Sequence, residues 1–433
     1  MGRPARGRAT RLIAAAAAAG ALLLTSCGNA DETPVLTWYI NPDDGGQQAL
    51  AQKCTEEADG AYRIQTSLLP NDAPAQREQL ARRLAAGDSS LDIMSIDPPF
   101  IPELAEPEFL APVPEDVAER TTEDTLEGAL AGAMWNDELV TIPFWANTQI
   151  LWYRKSVAEE AGLDMDEPVT WDQLIEAADE QEKYLSIQGT RAESMTVWVN
   201  ALMESQGESI LVDPSAGAEE LETALDSDAG RKTAEIIGTI GQEGLAGPGV
   251  ASLDENQSML MFQRDNGSFM VNWPFVWAAT NAAAEEGSID AEIPEDMGWA
   301  EYPRVDADTP AAPPLGGINL GVGAQSEHPD LAYQAIECIV RPENQTEYFV
   351  TNGNPPSSAS AFDDPSIEED YPMADTIREA LDNAAPRPQT PFYNEISESI
   401  QDQFTPVSTV DPETTPAQTD AYITEVLRGE RLL

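Results

Sequence analysis

Between residues 35 and 96 the chain alternates apolar runs with helical spacings, and this rhythm narrows the fold more than any other feature. Val35–Ile40 (VLTWYI) reads as a buried strand, broken by the turn-forming Asn41-Pro42-Asp43-Asp44-Gly45-Gly46. Residues 47–57 follow with helical spacing, and residues 62–69 read as a second strand. Residues 76–86 read as a helix ended by Gly87, and residues 91–96 (LDIMSI) as a third strand stopped by Asp97-Pro98-Pro99. Strand–helix–strand–helix at this pace predicts an α/β sheet, largely parallel. Ligands of such sheets sit beyond the carboxyl ends of the strands, so Asn41, Asp43 and Asp97 are the first candidates for polar contacts.

A second block opens near Glu138. Glu138 to Pro143 (ELVTIP) leads through Phe144-Trp145-Ala146-Asn147-Thr148-Gln149 to a strand-like Ile150 to Tyr153. Thr170 is an N-cap for the helix that follows, with Gln173 three residues on as its capping-box partner. Further on, residues 258–264 read as helix, 267–273 as strand, and 314–322 as a strand with glycines at its entry. Trp38, inside a continuous apolar strand, belongs to the core. Of Trp145 and Trp152, which bracket a strand, one is core and Trp145 is the better ligand candidate; Trp277 is assigned to packing.

Composition removes whole classes of function. The 433 residues carry 77 acidic against 23 basic side chains, a net charge of −54, with one histidine and three cysteines. No basic surface is available to neutralise phosphates, so nucleic acid is excluded as a partner. A serine–histidine triad or a multi-histidine metal site would have to be built around His328 alone. The charge by itself would suggest disorder, but 42% hydrophobic residues and nine tryptophans argue for a packed core. The length suggests two or three domains.

Residues 1–26 read as an export signal. Arg3, Arg6, Arg8 and Arg11 precede the apolar run from Leu12 to Leu24, which is too short to span a bilayer. The run ends Leu24-Thr25-Ser26-Cys27, which resembles a bacterial lipobox. That resemblance implies that Cys27 is acylated and becomes the mature N-terminus, with residues 27–34 as a polar tether. The expected location is therefore the extracellular face of the cell membrane, lipid-anchored, and cleavage would make the chain four charges more negative. Export leaves Cys54 and Cys338 in an oxidising compartment, where one disulfide between them is expected; two buried free thiols are the alternative.

The order P-F-W-A-N-T-Q-I-L-W-Y-R-K-S, then P-V-T-W-D-Q-L-I-E-A-A, resembles the extracellular sugar-binding proteins of ABC importers, solute-binding protein family 1. S-M-L-M-F-Q-R-D-N-G-S-F-M-V-N-W, P-L-G-G-I-N-L-G-V and A-P-R-P-Q-T-P-F-Y-N-E-I-S are similar to later segments of that family, in the same order. Each piece is weak alone; five in sequence behind a lipobox are specific. The opening Y-I-N-P-D-D-G-G-Q-Q is similar to that of actinobacterial trehalose-binding lipoproteins. The resemblance implies an α/β, two-lobed periplasmic-binding-protein-like fold (type II), with a ligand cleft between lobes joined by a hinge. One lobe would take residues 32–142 plus 314–352, and the other 143–313 plus 353–433. It further implies a monomer without cofactor or metal that captures a disaccharide, trehalose in particular, and delivers it to the transmembrane subunits of an ABC permease.

Sugar hydroxyls both donate and accept, and sugar C–H faces are apolar. Carboxylates, amides, arginine and aromatic rings together satisfy such a ligand. Carried onto this chain, the family's polar set falls at Asp43, Asp97 and Asn147, with Asn41 beside it. Its stacking ring falls at Trp273, with Phe275 adjacent, its arginine at Arg387, and Gly317 brings backbone close to the ligand. Asn41 and Asp43 flank Pro42, so a turn role competes with a ligand role; Asp97 before two prolines could simply end a strand. Glu255 and Asn256 open a helix, where capping competes with contact. Several relatives carry a stacking tryptophan after the glycine pair, where this chain has Ile318. Two further readings compete: a glycosidase using Asp43 and Asp97 as acid and base, and a peptide- or metal-binding lipoprotein.

Overall fold

In the computed structural model, Val35–Ile40 forms β1, which pairs in parallel with β2 (Arg63–Leu68) and β3 (Ile93–Ile96). The structure describes residues 33–43 and 45–433; the signal, Cys27 and most of the tether lie outside the described residues. Met134–Trp135 (β4) and Glu138–Leu139 (β5) make a short hairpin. β6 (Ile142–Thr148) and β7 (Ile150–Arg154) follow almost without a break, although they belong to different sheets. β8 (Phe269–Asn272), β9 (Met297–Ala300) and β10 (Leu315–Gly321) complete the strands among the described residues. One sheet runs β2-β1-β3-β10-β6 and the other β8-β7-β9.

The architecture is mixed α/β and two-lobed. The first sheet is parallel across β2, β1 and β3, but β10 runs antiparallel to both β3 and β6. The second sheet is wholly antiparallel. The expectation of a largely parallel sheet therefore holds only for the first 100 residues. β10 returns from the other lobe and so enters the sheet from its opposite end. The first sheet also keeps the chain as far as Thr148, six residues beyond the expected crossing at 142. Pro143 disguises β6 in the sequence, because a proline inside a strand reads as a break.

The cores explain the tryptophans. Trp38 is fully buried, donates from Nε1 to Ser95 Oγ at 3.1 Å and meets Phe144 edge-on at 5.9 Å. Trp152 is likewise buried, its Nε1 donating to the Asn272 carbonyl at 3.0 Å, which leaves Trp145 as the half-buried member of that pair. Trp277 is half-buried against Trp299 at 5.5 Å. In the second lobe Trp171 and Trp198 pack at 5.6 Å, and the Trp171 helix starts with the expected capping box between Thr170 and Gln173.

Cys54, on the helix Gly46–Glu57, is bonded to Cys338, on the helix Pro329–Ile339, with an S–S distance of 2.05 Å. The link spans a sequence separation of 284, so it ties the first helix among the described residues to a helix that follows β10. A loop this long restricts the unfolded chain strongly, and such links typically contribute about 2–4 kcal/mol.

Candidate functional site

The carboxyl ends of β1 and β3 face the end of β8 across a cavity of about 300 Å³. Eight of the nine expected ligand residues line it: Asn41, Asp97, Trp145, Asn147, Trp273, Phe275, Gly317 and Arg387. Asp43 does not. Its carboxylate accepts from the backbone N–H groups of Gly45 at 3.0 Å and Gln47 at 2.7 Å, and from the Tyr348 hydroxyl at 3.3 Å. Of its two competing roles, the one it has here is to close the turn and cap the first turn of the helix Gly46–Glu57.

The floor is built by β6 and β10. Trp145 lies opposite Ile318, and Asn147 opposite Gly316, so alternate side chains of both strands project to one face. The register shifts between Ile318 and Asn319, a bulge that bends β10 beside the site. Gly317 has φ +120°, and a Cβ there would stand 2.3 Å from the Trp145 carbonyl, so only glycine fits. Ile318 lines the cavity without a ring, but its cross-strand neighbour Trp145 supplies one to the same floor.

The opposite wall depends on Asn272, which is fully buried at the end of β8. Its Oδ1 accepts from the Trp273 N–H at 2.9 Å, while its Nδ2 donates to the Glu255 carbonyl at 2.9 Å and to Ser258 Oγ at 3.1 Å. One amide thus fixes both the backbone of Trp273 and the start of the helix Glu255–Phe262. That helix is capped by Asp254, which accepts from the Gln257 N–H at 2.9 Å, rather than by Glu255 or Asn256. Glu255 is therefore free to line the cavity, and burial pushes its carboxyl above the usual range.

Arg387 closes the end of the cavity. Its guanidinium, 5% exposed, donates to Asp97 Oδ1 at 2.5 Å and Oδ2 at 3.3 Å, and to Glu193 Oε1 at 2.5 Å. Tyr393 donates its hydroxyl to the same Glu193 oxygen at 2.6 Å. Asn200 holds the Pro386 carbonyl at 3.1 Å, which fixes the loop carrying the arginine. Asp97 follows β3 and Glu193 opens the helix Glu193–Glu204, so one buried cation joins carboxylates from both sides of the cleft. Against the cost of burial, those two carboxylates hold Arg387 further into its charged range.

Burial pushes the Asp97 carboxyl up to about 6, with Arg387 pulling it down and Glu193 adding to the rise. The folded cleft therefore favours protonated Asp97 relative to its ordinary value of 3.8. Its contribution to stability is full below pH 3.8 and is lost as pH rises through about 6. Between about pH 4 and about pH 7, the melting temperature of Asp97→Asn should then rise relative to that of the wild-type protein. Parallel melting curves across that range would contradict this titration.

Glu193, Ser194, Asn71, Gln76 and Asn354 also line the cavity and were not singled out from sequence. The sequence signal for Glu193 is indirect: an arginine held between Pro386 and Pro388 beside a cleft needs counter-charges. Four buried polar atoms of the lining, Asn41 Oδ1, Trp145 Nε1, Ser194 Oγ and Arg387 Nε, have no protein partner. Groups of that kind point to a polar occupant. A larger cavity of about 440 Å³, between Arg120, Asp124, Glu337 and Arg341, lies outside the cleft. Both of its guanidiniums are already paired, Arg120 with Asp116 and Glu337, Arg341 with Glu57 and Glu343.

Residues 46–346 match the family described as bacterial extracellular solute-binding protein. A probable ABC transporter-binding protein of Deinococcus radiodurans is 27% identical over 276 residues, 61% of this chain and 62% of that protein. The match thus spans less than two thirds of that relative's length. Among solved structures, maltose-bound MalE3 of T. maritima superposes with a TM-score of 0.73 at 23% identity, covering 92% of this chain and 100% of that one. The sugar-binding protein MalE of Xanthomonas citri gives a TM-score of 0.77 at 18% identity, covering 92% and 98%. At these identities the structural likeness speaks to the fold. No helix among the described residues is long and apolar enough to cross a membrane.

Proposed function

Because the chain belongs to the bacterial extracellular solute-binding protein family, we propose that it captures a neutral disaccharide, trehalose in particular, for an ABC importer. The observation that carries this reading is the pairing of rings with acceptors in one cavity. Trp145, Trp273 and Phe275 offer faces for sugar C–H surfaces, while Asp97, Glu193, Glu255, Asn41 and Asn147 offer acceptors and amides for hydroxyls. The excess of carboxylates over Arg387 disfavours an anionic ligand. The maltose bound to the T. maritima neighbour supports a carbohydrate, and the trehalose-like opening around Asn41 supports that sugar among disaccharides.

The protein acts here as a receptor and not as a hydrolase: Asp43, one half of the acid pair a glycosidase would need, is engaged as a helix cap. Hinge closure over the ligand would present the closed form to the permease subunits. Acylation at Cys27 would hold a monomeric receptor at the outer face of the membrane. A thermal-shift panel of disaccharides, single sugars and peptides tests the reading. Trehalose at 100 times its dissociation constant should add about 2.7 kcal/mol of stability. A maltose-type sugar shifting the melt while trehalose does not would move the proposal to that ligand. Shifts with peptides alone would end it.

A further inference from the structure

The two adjacent glycines of β10 are glycine for different reasons. The backbone of Gly317 requires it, as described above. Gly316 has no such requirement: it is not among the residues of positive φ, and any residue can adopt its conformation. What a side chain there would meet is the indole of Trp273. A Cβ at Gly316 would stand 3.0 Å from both Cη2 and Cζ3 of that ring, inside the roughly 3.5–4.0 Å of carbon–carbon contact. The next nearest atom, the Asn147 carbonyl oxygen, would be at an ordinary 3.7 Å.

Trp273 leaves the β8 sheet and Gly316 lies in the β10 sheet, so the outer edge of the indole rests on bare backbone of the opposite lobe. Resting on the proposed sugar-binding role, we infer that Gly316 is the positioning residue for the stacking ring. It sets how far Trp273 can swing onto the floor made by Trp145, Asn147 and Ile318, and therefore the ring-to-floor spacing that selects the ligand. The absence of a side chain at 316 is thus as much a part of the site as the ring it receives. Any larger residue would hold the Trp273 ring away from the floor, while the Trp273 backbone, whose N–H is held by Asn272 Oδ1, could not retreat with it.

A double-mutant cycle of Gly316→Ala and Trp273→Phe tests this. Phenylalanine keeps a ring for the ligand but lacks the benzo edge that reaches Gly316. Gly316→Ala should weaken trehalose binding by about tenfold in the wild-type background and by less than about twofold in the Trp273→Phe background. The ligand-free protein supplies a second readout. The emission of Trp273, taken as the difference from Trp273→Phe, should shift to the red in Gly316→Ala as the ring moves toward water. That shift distinguishes the two roles: if the wild-type protein binds no sugar but Gly316→Ala still shifts the Trp273 emission, the positioning role stands and the ligand is lost. If Gly316→Ala folds poorly, recovery of the Trp273→Phe melting temperature in the double variant supports the contact. Equal weakening in both backgrounds, poor folding in both, or an unshifted Trp273 emission would overturn it.

Discussion

Replacing Arg387 with alanine is expected to abolish measurable sugar binding and to lower the melting temperature at the same time. The guanidinium is buried between Asp97 and Glu193, which come from opposite sides of the cleft. Removing it leaves two carboxylates facing each other in a desolvated site. Breaking a buried ionic network by deleting one partner costs about 3–5 kcal/mol, because the remaining charge is left uncompensated. The cleft can relieve that cost by opening or by taking up a proton, and either response disperses the acceptors the ligand needs. Both effects should be visible in one variant, by titration calorimetry and by a thermal melt. Near-normal affinity with an unchanged melt would mean that the cluster is ornamental to binding and to folding alike.

Trp273→Ala should separate the two effects. The ring is half-buried and lines the cavity, while its backbone is anchored through the fully buried Asn272. Truncation therefore removes the ring from the cavity without unmaking the wall that carries it. Buried tryptophans at binding sites commonly contribute at least about 2 kcal/mol, a loss of about 30-fold in affinity. The melting temperature of the ligand-free variant should fall far less than that of Arg387→Ala. A variant that binds trehalose with wild-type affinity would remove Trp273 from the site and weaken the inference about Gly316 with it.

The contrast between these residues shows which parts of the molecule were legible in the sequence. Strands such as β1 and β3 announce themselves, because a continuous apolar run bounded by prolines and glycines has few other uses. β6 did not, since Pro143 and the polar Asn147 and Thr148 interrupt its pattern, and its strand character is imposed by pairing with β10. The capping box at Thr170 was readable because both partners lie within one helical turn. Asp43 was ambiguous for the same local reason: a carboxylate two and four residues ahead of backbone N–H groups can cap as well as bind, and here it caps.

Glu193 was out of reach altogether. Its partner Arg387 lies 194 residues away, and nothing around Glu193 distinguishes it from the chain's other acidic residues. Resemblance to a family located Asp97, Asn147, Trp273 and Arg387, but it described Arg387 as a single residue. The folded chain turns it into one member of a four-residue cluster with Asp97, Glu193 and Tyr393. The missing tryptophan at Ile318 finds a similar explanation, since Trp145 on the adjacent strand brings a ring to the same floor.

Calorimetric titration of the protein with trehalose tests most directly whether a neutral disaccharide occupies this cleft. The predicted result is a saturable isotherm at one sugar per chain, abolished in Arg387→Ala and strongly weakened in Trp273→Ala. An absence of heat with trehalose and with every other disaccharide, while a peptide or a charged solute titrates to saturation, would contradict it.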